Sequence, residues 1–169
     1  MLFRSLLTDH AFCEQKAASN AISLIVHFPE KSELVAEMSR IAQEEMAHFE
    51  QVHEKITARG WVLGRERKDA YVNELMALVR KNQGRDVLLL DRLLFAAMVE
   101  ARSCERFRML SETAPEAELR SFYHELMASE AGHYTTFLRL AKLYLPEDMV
   151  DTRWQEFLDE EAKIVARYG

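Results

Sequence analysis

Hydrophobic residues recur at every third or fourth position over most of the chain, with polar residues between them, a spacing typical of amphipathic α-helices. Glycine and proline residues interrupt this pattern and predict where each helix ends. The predicted helices span approximately residues 5–27, 32–59, 69–81, 86–112, 113–144 and 149–168. Five glycines and three prolines among 169 residues leave few turns for an all-β protein. The chain is therefore predicted to be all-α.

The connections between the predicted helices indicate how they are arranged. Those within each half of the chain are short, whereas about 25 residues separate the second long helix from the third. This is the pattern of a four-helix bundle with one long crossover, and its length suits a single domain over residues 1–169. Thr113 to Glu116 have the spacing of a capping box, which predicts Thr113 as the N-cap of the fourth long helix.

Each long helix carries an inward-facing stripe that is apolar except for one glutamate near its middle. In two of the stripes a histidine follows the glutamate by three residues, a step that keeps both on one face of the helix. A weak internal repeat of about 86 residues relates the first pair of long helices to the second pair. The stripes are Leu7, Ala11, Glu14, Ala18, Ala21 and Ile25; Leu34, Met38, Ile41, Glu45, His48, Val52 and Ile56; Leu89, Leu93, Ala96, Glu100, Ser103, Phe107 and Leu110; and Leu119, Phe122, Leu126, Glu130, His133, Phe137, Leu140 and Tyr144. Their glutamate and histidine positions are Glu14, Glu45, His48, Glu100, Glu130 and His133.

These six residues predict a site for two metal ions. Four ionised carboxylates buried together would be prohibitive without counter-charge, whereas two divalent cations balance them. One glutamate from each of two helices, with Glu-x-x-His from each of two others, is the ligand set of di-iron and di-manganese bundles. Carboxylate and imidazole ligands suit iron or manganese. A single Glu-x-x-His is common on helices, so the prediction depends on all six residues together.

Neighbours of the predicted ligands have weaker signals. His10 lies one turn before Glu14 and is a candidate support for that ligand, although a core or surface role fits equally well. Glu44 and Glu105 lie off the stripes and are predicted to be flanking residues. The two cysteines, Cys13 and Cys104, are expected to be free thiols, with Cys104 a candidate to line a cavity.

The overall composition narrows the class of protein. Apolar residues make up 49% of the chain and charged residues 30%, a balance typical of globular proteins. The formal net charge of −6 argues against a general binder of polyanions. No apolar stretch approaches the roughly 20 residues that a membrane-spanning helix needs, and the first residues do not resemble a secretory signal. We therefore expect a cytoplasmic protein with no membrane partner.

Four stretches of the sequence resemble the tRNA hydroxylase family called MiaE. They are LTDHAFCEQKAAS at residues 7–19, MSRIAQEEMAHFEQ at 38–51, EARSCERF at 100–107 and SEAGHY at 129–134. The resemblance implies a ferritin-like fold and an oxygen-dependent, non-haem di-iron monooxygenase. It implies that the substrate is 2-methylthio-N6-isopentenyladenosine in tRNA, which is hydroxylated on its isopentenyl chain with dioxygen as co-substrate. It also implies that Glu14, Glu45, His48, Glu100, Glu130 and His133 are the iron ligands. By their donor chemistry the same residues also suit manganese.

A tRNA substrate requires a basic surface, because phosphate contacts dominate the affinity for nucleic acids. Residues 59–85 carry a net charge of +4, whereas the rest of the chain carries −10. This segment is predicted to face the RNA, with Trp61 or Tyr71 as candidates for stacking on a base. An ordinary charged loop is the alternative interpretation. The basic residues are Arg59, Arg65, Arg67, Lys68, Arg80, Lys81 and Arg85.

Two other functions remain open from the sequence. A ferritin-like protein that oxidises and stores iron would use the same ligands, and a bundle with a vestigial site would only bind RNA. A hydroxylase would also need an external electron donor, since the sequence has no flavin or iron–sulfur motif.

Overall fold

A computed structural model describes residues 2–168, and the regular secondary structure within this range is entirely helical. The prediction of an all-α protein is confirmed. The helices are α1 (Leu2–His27), α2 (Ser32–Thr57), α3 (Ala70–Met76), α4 (Arg85–Thr113), α5 (Ala117–Tyr144) and α6 (Glu147–Tyr168). The chain divides into two compact units, one ending at Lys68 and the other beginning at Asp69.

The first unit is a helical hairpin of α1 and α2, followed by a turn at residues 58–60 and an irregular segment over residues 61–68. A tight turn joins the two helices, in which the Lys31 amide donates to the Phe28 carbonyl at 3.1 Å. The irregular segment lies against the start of α1, where Arg4 donates to the Val62 carbonyl and Arg67 donates to Asp9. Gly64 allows the backbone of this segment to approach Thr8 of α1 closely, because a Cβ atom at position 64 would lie 3.1 Å from the Thr8 methyl group.

The second unit contains a hairpin of α4 and α5, against which α3 and α6 pack. Two buried carboxylates stabilise this packing. Asp91 of α4 accepts hydrogen bonds from the guanidinium groups of Arg80 and Arg153, each at 2.9 Å. Glu161 of α6 accepts a hydrogen bond from the Tyr71 hydroxyl at 3.0 Å and also binds Arg102. These contacts connect α6 to α4 and to the chain around α3.

The stripes predicted from the sequence are buried along most of their length. On the first hairpin only Ile25 among the predicted stripe residues is partly exposed. On the second hairpin Ser103, Leu110 and Tyr144 are partly exposed, and the rest are buried. The period of the hydrophobic pattern thus identified the buried face of each long helix, including its polar positions.

The predicted capping box at Thr113 is wrong. Thr113 is the last residue of α4, and its hydroxyl donates to the Met109 carbonyl at 2.8 Å. The next residue, Ala114, has ψ of 140°, the extended conformation that a following proline favours. Helix α5 therefore begins only at Ala117, and its N-cap residue, Glu116, makes no capping hydrogen bond through its side chain.

The third predicted helix is shorter than expected. Helix α3 begins where predicted, with the Asp69 carboxylate accepting a hydrogen bond from the Val72 amide at 3.0 Å. It ends at Met76 rather than near residue 81, because the amides of Leu78 and Val79 bond to carbonyls three residues back. Each other helix ends within about two residues of its predicted end.

Within residues 2–168, none of the helices has the length and apolar character that crossing a bilayer requires.

Candidate functional site

The first unit brings its three predicted ligands together in one buried cluster, here called triad 1. Glu14 projects from α1, and Glu45 and His48 from successive turns of α2. Each offers a ligand atom within 4.8 Å of those of the other two. Glu45 is fully buried, and Glu14 and His48 are 3% and 9% exposed. The two helices meet in an antiparallel hairpin, so residues near the middle of each face one another.

The electrostatics of triad 1 favour a positive charge beside the carboxylates. Burial raises the pKa of Glu14, but contacts with His10 and His48 outweigh it and hold the pKa well below its usual value. Burial lowers the pKa of His48, whereas its interactions with Glu14 and Glu45 raise it more, to about 10. Both shifts show that the two carboxylates favour a positive charge beside them. A divalent cation would supply that charge more fully.

The second unit contains a matching cluster, here called triad 2. Glu100 projects from α4, and Glu130 and His133 from successive turns of α5. Their ligand atoms also lie within 4.8 Å of one another, and the three residues are between 1% and 4% exposed. Each hairpin thus repeats one pattern, a glutamate on its first helix and Glu-x-x-His on its second.

Each triad fits a divalent metal ion by its donor chemistry. Two carboxylates and one imidazole provide oxygen and nitrogen donors, which suit iron and manganese and include no thiolate. Burial makes an unbalanced pair of carboxylates costly, so a cation bound by these residues would also stabilise them.

His10 is the neighbour that most directly supports a predicted ligand. Its Nε2 atom lies 2.5 Å from the Glu14 Oε1 atom, and both side chains are buried. A histidine in this position fixes the orientation of the carboxylate. The sequence left its role open, and the structure places it beside Glu14.

The other flanking residues lie where the sequence predicted. Glu44 is partly exposed and pairs with Arg40 at 2.6 Å, and Glu105 is exposed and pairs with Arg102 at 2.5 Å. Both cysteines are free thiols. The Cys104 thiol donates to the Met127 carbonyl at 3.6 Å, and burial followed by the charge of Glu130 raises its pKa.

The basic residues of segment 59–85 have different environments. The guanidinium of Arg80 donates to the buried Asp91, a carboxylate that it shares with Arg153, so its charge is partly offset within the second unit. Arg59 donates to the Lys55 carbonyl and lies over the ring of Phe3. The remaining five are exposed: Arg65, Arg67, Lys68, Lys81 and Arg85.

The two aromatic residues proposed for stacking have contacts of their own. Trp61 packs edge-on against Phe3, with ring centroids 6.5 Å apart. The hydroxyl of Tyr71 donates to Glu161. Both are partly buried, so a stacking role would use only the part of each ring that remains accessible.

A small pocket that the sequence did not predict lies beside this segment. Arg4 and Thr8, one helical turn apart on α1, line it together with Arg65 and Arg67. The signal available in the sequence was the spacing of four residues between Arg4 and Thr8, which places both on one face of the helix.

Comparison with known proteins identifies the family. The model of the MiaE family, described as "tRNA-(MS[2]IO[6]A)-hydroxylase (MiaE)", matches residues 2–168. The chain belongs to the MiaE family. The resemblance seen in four sequence stretches is thereby confirmed over nearly the whole chain, and the chain falls in a family of hydroxylase enzymes.

Two relatives carry the same name, tRNA 2-(methylsulfanyl)-N(6)-isopentenyladenosine(37) hydroxylase. The relative from Pseudomonas putida is 45% identical, over 83% of this chain and 67% of its own length. The relative from Salmonella typhimurium is 28% identical, over 95% of this chain and 75% of its own length.

A solved structure shares the fold of this MiaE family member. It is named "Protein 43 with aldehyde deformylating oxygenase activity from Synechococcus". The match has a TM-score of 0.89 and 35% identity, and covers 94% of this chain and 78% of that one. The predicted fold class, an all-α ferritin-like fold, is confirmed by this match.

Proposed function

We propose that the protein is an oxygen-dependent di-iron monooxygenase that hydroxylates the isopentenyl chain of 2-methylthio-N6-isopentenyladenosine in tRNA. The observation that carries the proposal is the pair of matching buried triads, one in each helical hairpin, in a member of the MiaE family. The relatives named as tRNA hydroxylases support the choice of substrate.

The two triads are proposed to supply the ligands of two iron ions. Triad 1 contributes Glu14, Glu45 and His48, and triad 2 contributes Glu100, Glu130 and His133. Four carboxylates balance the charge of two ferrous ions, and two imidazoles complete the ligand set. When bound, the iron pair supplies the electrons with which dioxygen is activated for attack on a C–H bond.

The overall reaction requires a partner that donates electrons. One oxygen atom of dioxygen enters the C–H bond of the isopentenyl chain, and the other leaves as water. The reaction consumes two electrons and two protons. We propose that the two electrons come from an external donor, since the chain has no flavin or iron–sulfur motif.

The protein's own residues position and isolate this chemistry. Burial of both triads keeps bulk water away from the carboxylates, which strengthens their electrostatic interactions. The contact between His10 and Glu14 holds that carboxylate in one orientation. The exposed cations of segment 59–85 are proposed to contact the tRNA backbone. Arg80 is expected to contribute least of the seven basic residues, because its guanidinium is hydrogen-bonded to the buried Asp91.

Two other activities are weaker alternatives. An iron-storage protein would use the same triads, but the relatives that match most of the chain are named as tRNA hydroxylases. The Synechococcus neighbour is named for an aldehyde deformylating oxygenase activity, and the high similarity of fold makes this a second candidate. An aldehyde substrate would not require a basic surface, whereas a tRNA substrate does.

Nucleoside mass spectrometry tests the proposal directly. tRNA from cells that lack the protein is compared with tRNA from the same cells carrying the wild-type chain. We expect one additional oxygen on the prenylated nucleoside only when the wild-type chain is present. A matched pair of variants completes the design: Glu45→Ala should abolish the product, and Glu44→Ala should retain it. An unchanged nucleoside, with purified protein that consumes oxygen on addition of an aldehyde, would overturn the tRNA assignment.

A further inference from the structure

The small pocket of the first unit has an unusual concentration of cationic side chains. It has a volume of about 250 Å³ and lies between the start of α1 and the irregular segment over residues 61–68. Three arginines and one aspartate line it, with Ser5, Thr8 and Gly64. The lining therefore has a net charge of +2 at neutral pH.

Two of the arginines are held in place by acceptors at one edge of the guanidinium group. An Arg4 Nη atom donates to the Val62 carbonyl at 3.1 Å, and Arg67 Nε donates to Asp9 Oδ1 at 2.9 Å. A guanidinium has five N–H donors, so each arginine retains donors for a ligand. Groups fixed in advance lose little conformational entropy when a ligand binds.

The third arginine, Arg65, has its full charge available. Among the residues that the structure describes, Arg65 makes no hydrogen bond or ion pair, and its side chain is exposed. Its acidic neighbour Glu66 pairs with Lys16 at 2.7 Å, so that carboxylate does not cancel the charge of Arg65. Asp9, the acidic residue of the pocket, is likewise occupied by Arg67.

A small hydroxyl side chain completes the pocket. Thr8 lies at its wall, where the absence of a side chain at Gly64 lets the irregular segment approach. Arginine donors beside a hydroxyl group are typical of sites that bind phosphate.

We propose that this pocket binds one backbone phosphate of the tRNA substrate, through Arg4, Thr8, Arg65 and Arg67. The inference rests on the proposed tRNA substrate and adds to it a defined contact point that includes two residues outside segment 59–85. The phosphate oxygens accept hydrogen bonds from the guanidinium groups and from the Thr8 hydroxyl. The contact positions the RNA and does not read its sequence.

Binding of a tRNA transcript at several salt concentrations tests this pocket. Arg65→Ala should weaken binding several-fold and lower the slope of log affinity against log salt by roughly 1, as expected for one lost phosphate contact. Arg4→Ala should lower the slope similarly. Thr8→Val removes the hydroxyl group but keeps the shape and charge of the pocket. It should therefore weaken RNA binding and leave the slope of log affinity against log salt unchanged.

The matched control is Arg106→Ala, which removes an exposed arginine of α4 that does not line the pocket. It should leave the salt slope at its wild-type value. Circular dichroism of Arg65→Ala should show wild-type helicity, since Arg65 makes no hydrogen bond or ion pair among the described residues. The same measurement on the other variants checks that they are folded.

The outcomes separate the pocket from the proposed function. If wild-type protein binds and hydroxylates tRNA but Arg65→Ala has the wild-type affinity and slope, the pocket assignment is overturned and the function stands. If inorganic phosphate raises the melting temperature of the wild type but Arg65→Ala does not alter RNA binding, the pocket is a free-anion site and the proposal also fails. If the wild type binds no tRNA, both fail together.

Discussion

The side chains of Glu44 and Glu45 show how one position along a helix decides between two roles. They are adjacent in α2, yet they point about 100° apart around the helix axis. Glu45 is fully buried in triad 1, whereas Glu44 is partly exposed and pairs with Arg40. Chemistry is the same at both positions, and only the direction of the side chain differs. Substitution of each residue in turn therefore tests whether the buried glutamate is a metal ligand.

Metal content should distinguish these two residues. After reconstitution with ferrous iron, Glu45→Ala should contain much less metal per chain than the wild type, because one carboxylate ligand is lost. Glu44→Ala should retain the wild-type content. Elemental analysis of the purified proteins measures both. Wild-type metal content in Glu45→Ala would remove triad 1 from the metal site.

At the scale of the helices, the residues at the helix ends determine where each helix begins and stops. Asp69 caps α3 with a hydrogen bond to the Val72 amide, whereas Thr113 ends α4 and caps nothing at the start of α5. Both are residue types that favour N-caps. The difference arises because the proline at position 115 imposes an extended conformation on Ala114 and delays the next helix.

Alanine substitution at the two positions should therefore have unequal effects. Asp69→Ala should lower the free energy of unfolding by about 1 kcal/mol, the usual cost of losing an N-cap. Thr113→Ala should change it by less than about 0.5 kcal/mol, because its hydroxyl bonds within the last turn of α4. Urea denaturation followed by circular dichroism measures both. A loss of more than about 0.5 kcal/mol in Thr113→Ala would indicate that Thr113 does act as an N-cap.

The buried carboxylate of Asp91 stabilises the packing of α4 with α6. Burial raises its pKa, but hydrogen bonds from Arg80 and Arg153 outweigh this and hold the pKa below its ordinary value. Because the folded-state pKa is depressed, the stabilisation is present above the unfolded pKa of about 4 and is lost as the pH falls below it.

Asp91→Asn should destabilise the protein at neutral pH by about 3 kcal/mol, since it leaves two guanidinium groups without their shared carboxylate. The difference between wild type and variant should shrink as the pH falls below about 4. Asp159→Asn, at an exposed position of α6, provides the control and should stay within about 0.5 kcal/mol. A pH-independent difference would show that Asp91 acts through packing rather than charge.

At the scale of the whole molecule, the sequence predicted what depends on local periodicity and missed what depends on distant partners. Helix positions, buried stripes and the membership of each triad follow from spacing along the chain. The partners of Asp91 lie 11 and 62 residues away in sequence, so no local pattern identifies them. Asp91 and Arg92 interrupt an otherwise apolar run over residues 88–98, and a charged pair at that place was a visible signal of a buried carboxylate that needs a partner. The pocket beside Arg65 depends on how an irregular segment packs, which residue spacing does not encode.

Iron should stabilise the whole protein if both triads bind it in the folded state alone. At an iron concentration 100 times the dissociation constant, one site adds about 2.7 kcal/mol to the free energy of unfolding. Calorimetry under anaerobic conditions should show a rise in the melting temperature of the wild type. The same rise in a Glu45→Ala, Glu130→Ala double variant would contradict the assignment of the triads.

The two arginines on Asp91 have a practical consequence for shortened chains. Arg153 belongs to α6, so a protein truncated after α5 keeps every proposed iron ligand but loses one of the two cations on a fully buried acid. Helix α6 also carries Glu161, the acceptor for Arg102 and Tyr71. Such a fragment would contain every proposed ligand but would lack the α6 contacts that stabilise α4. A minimal catalytic fragment should therefore retain α6.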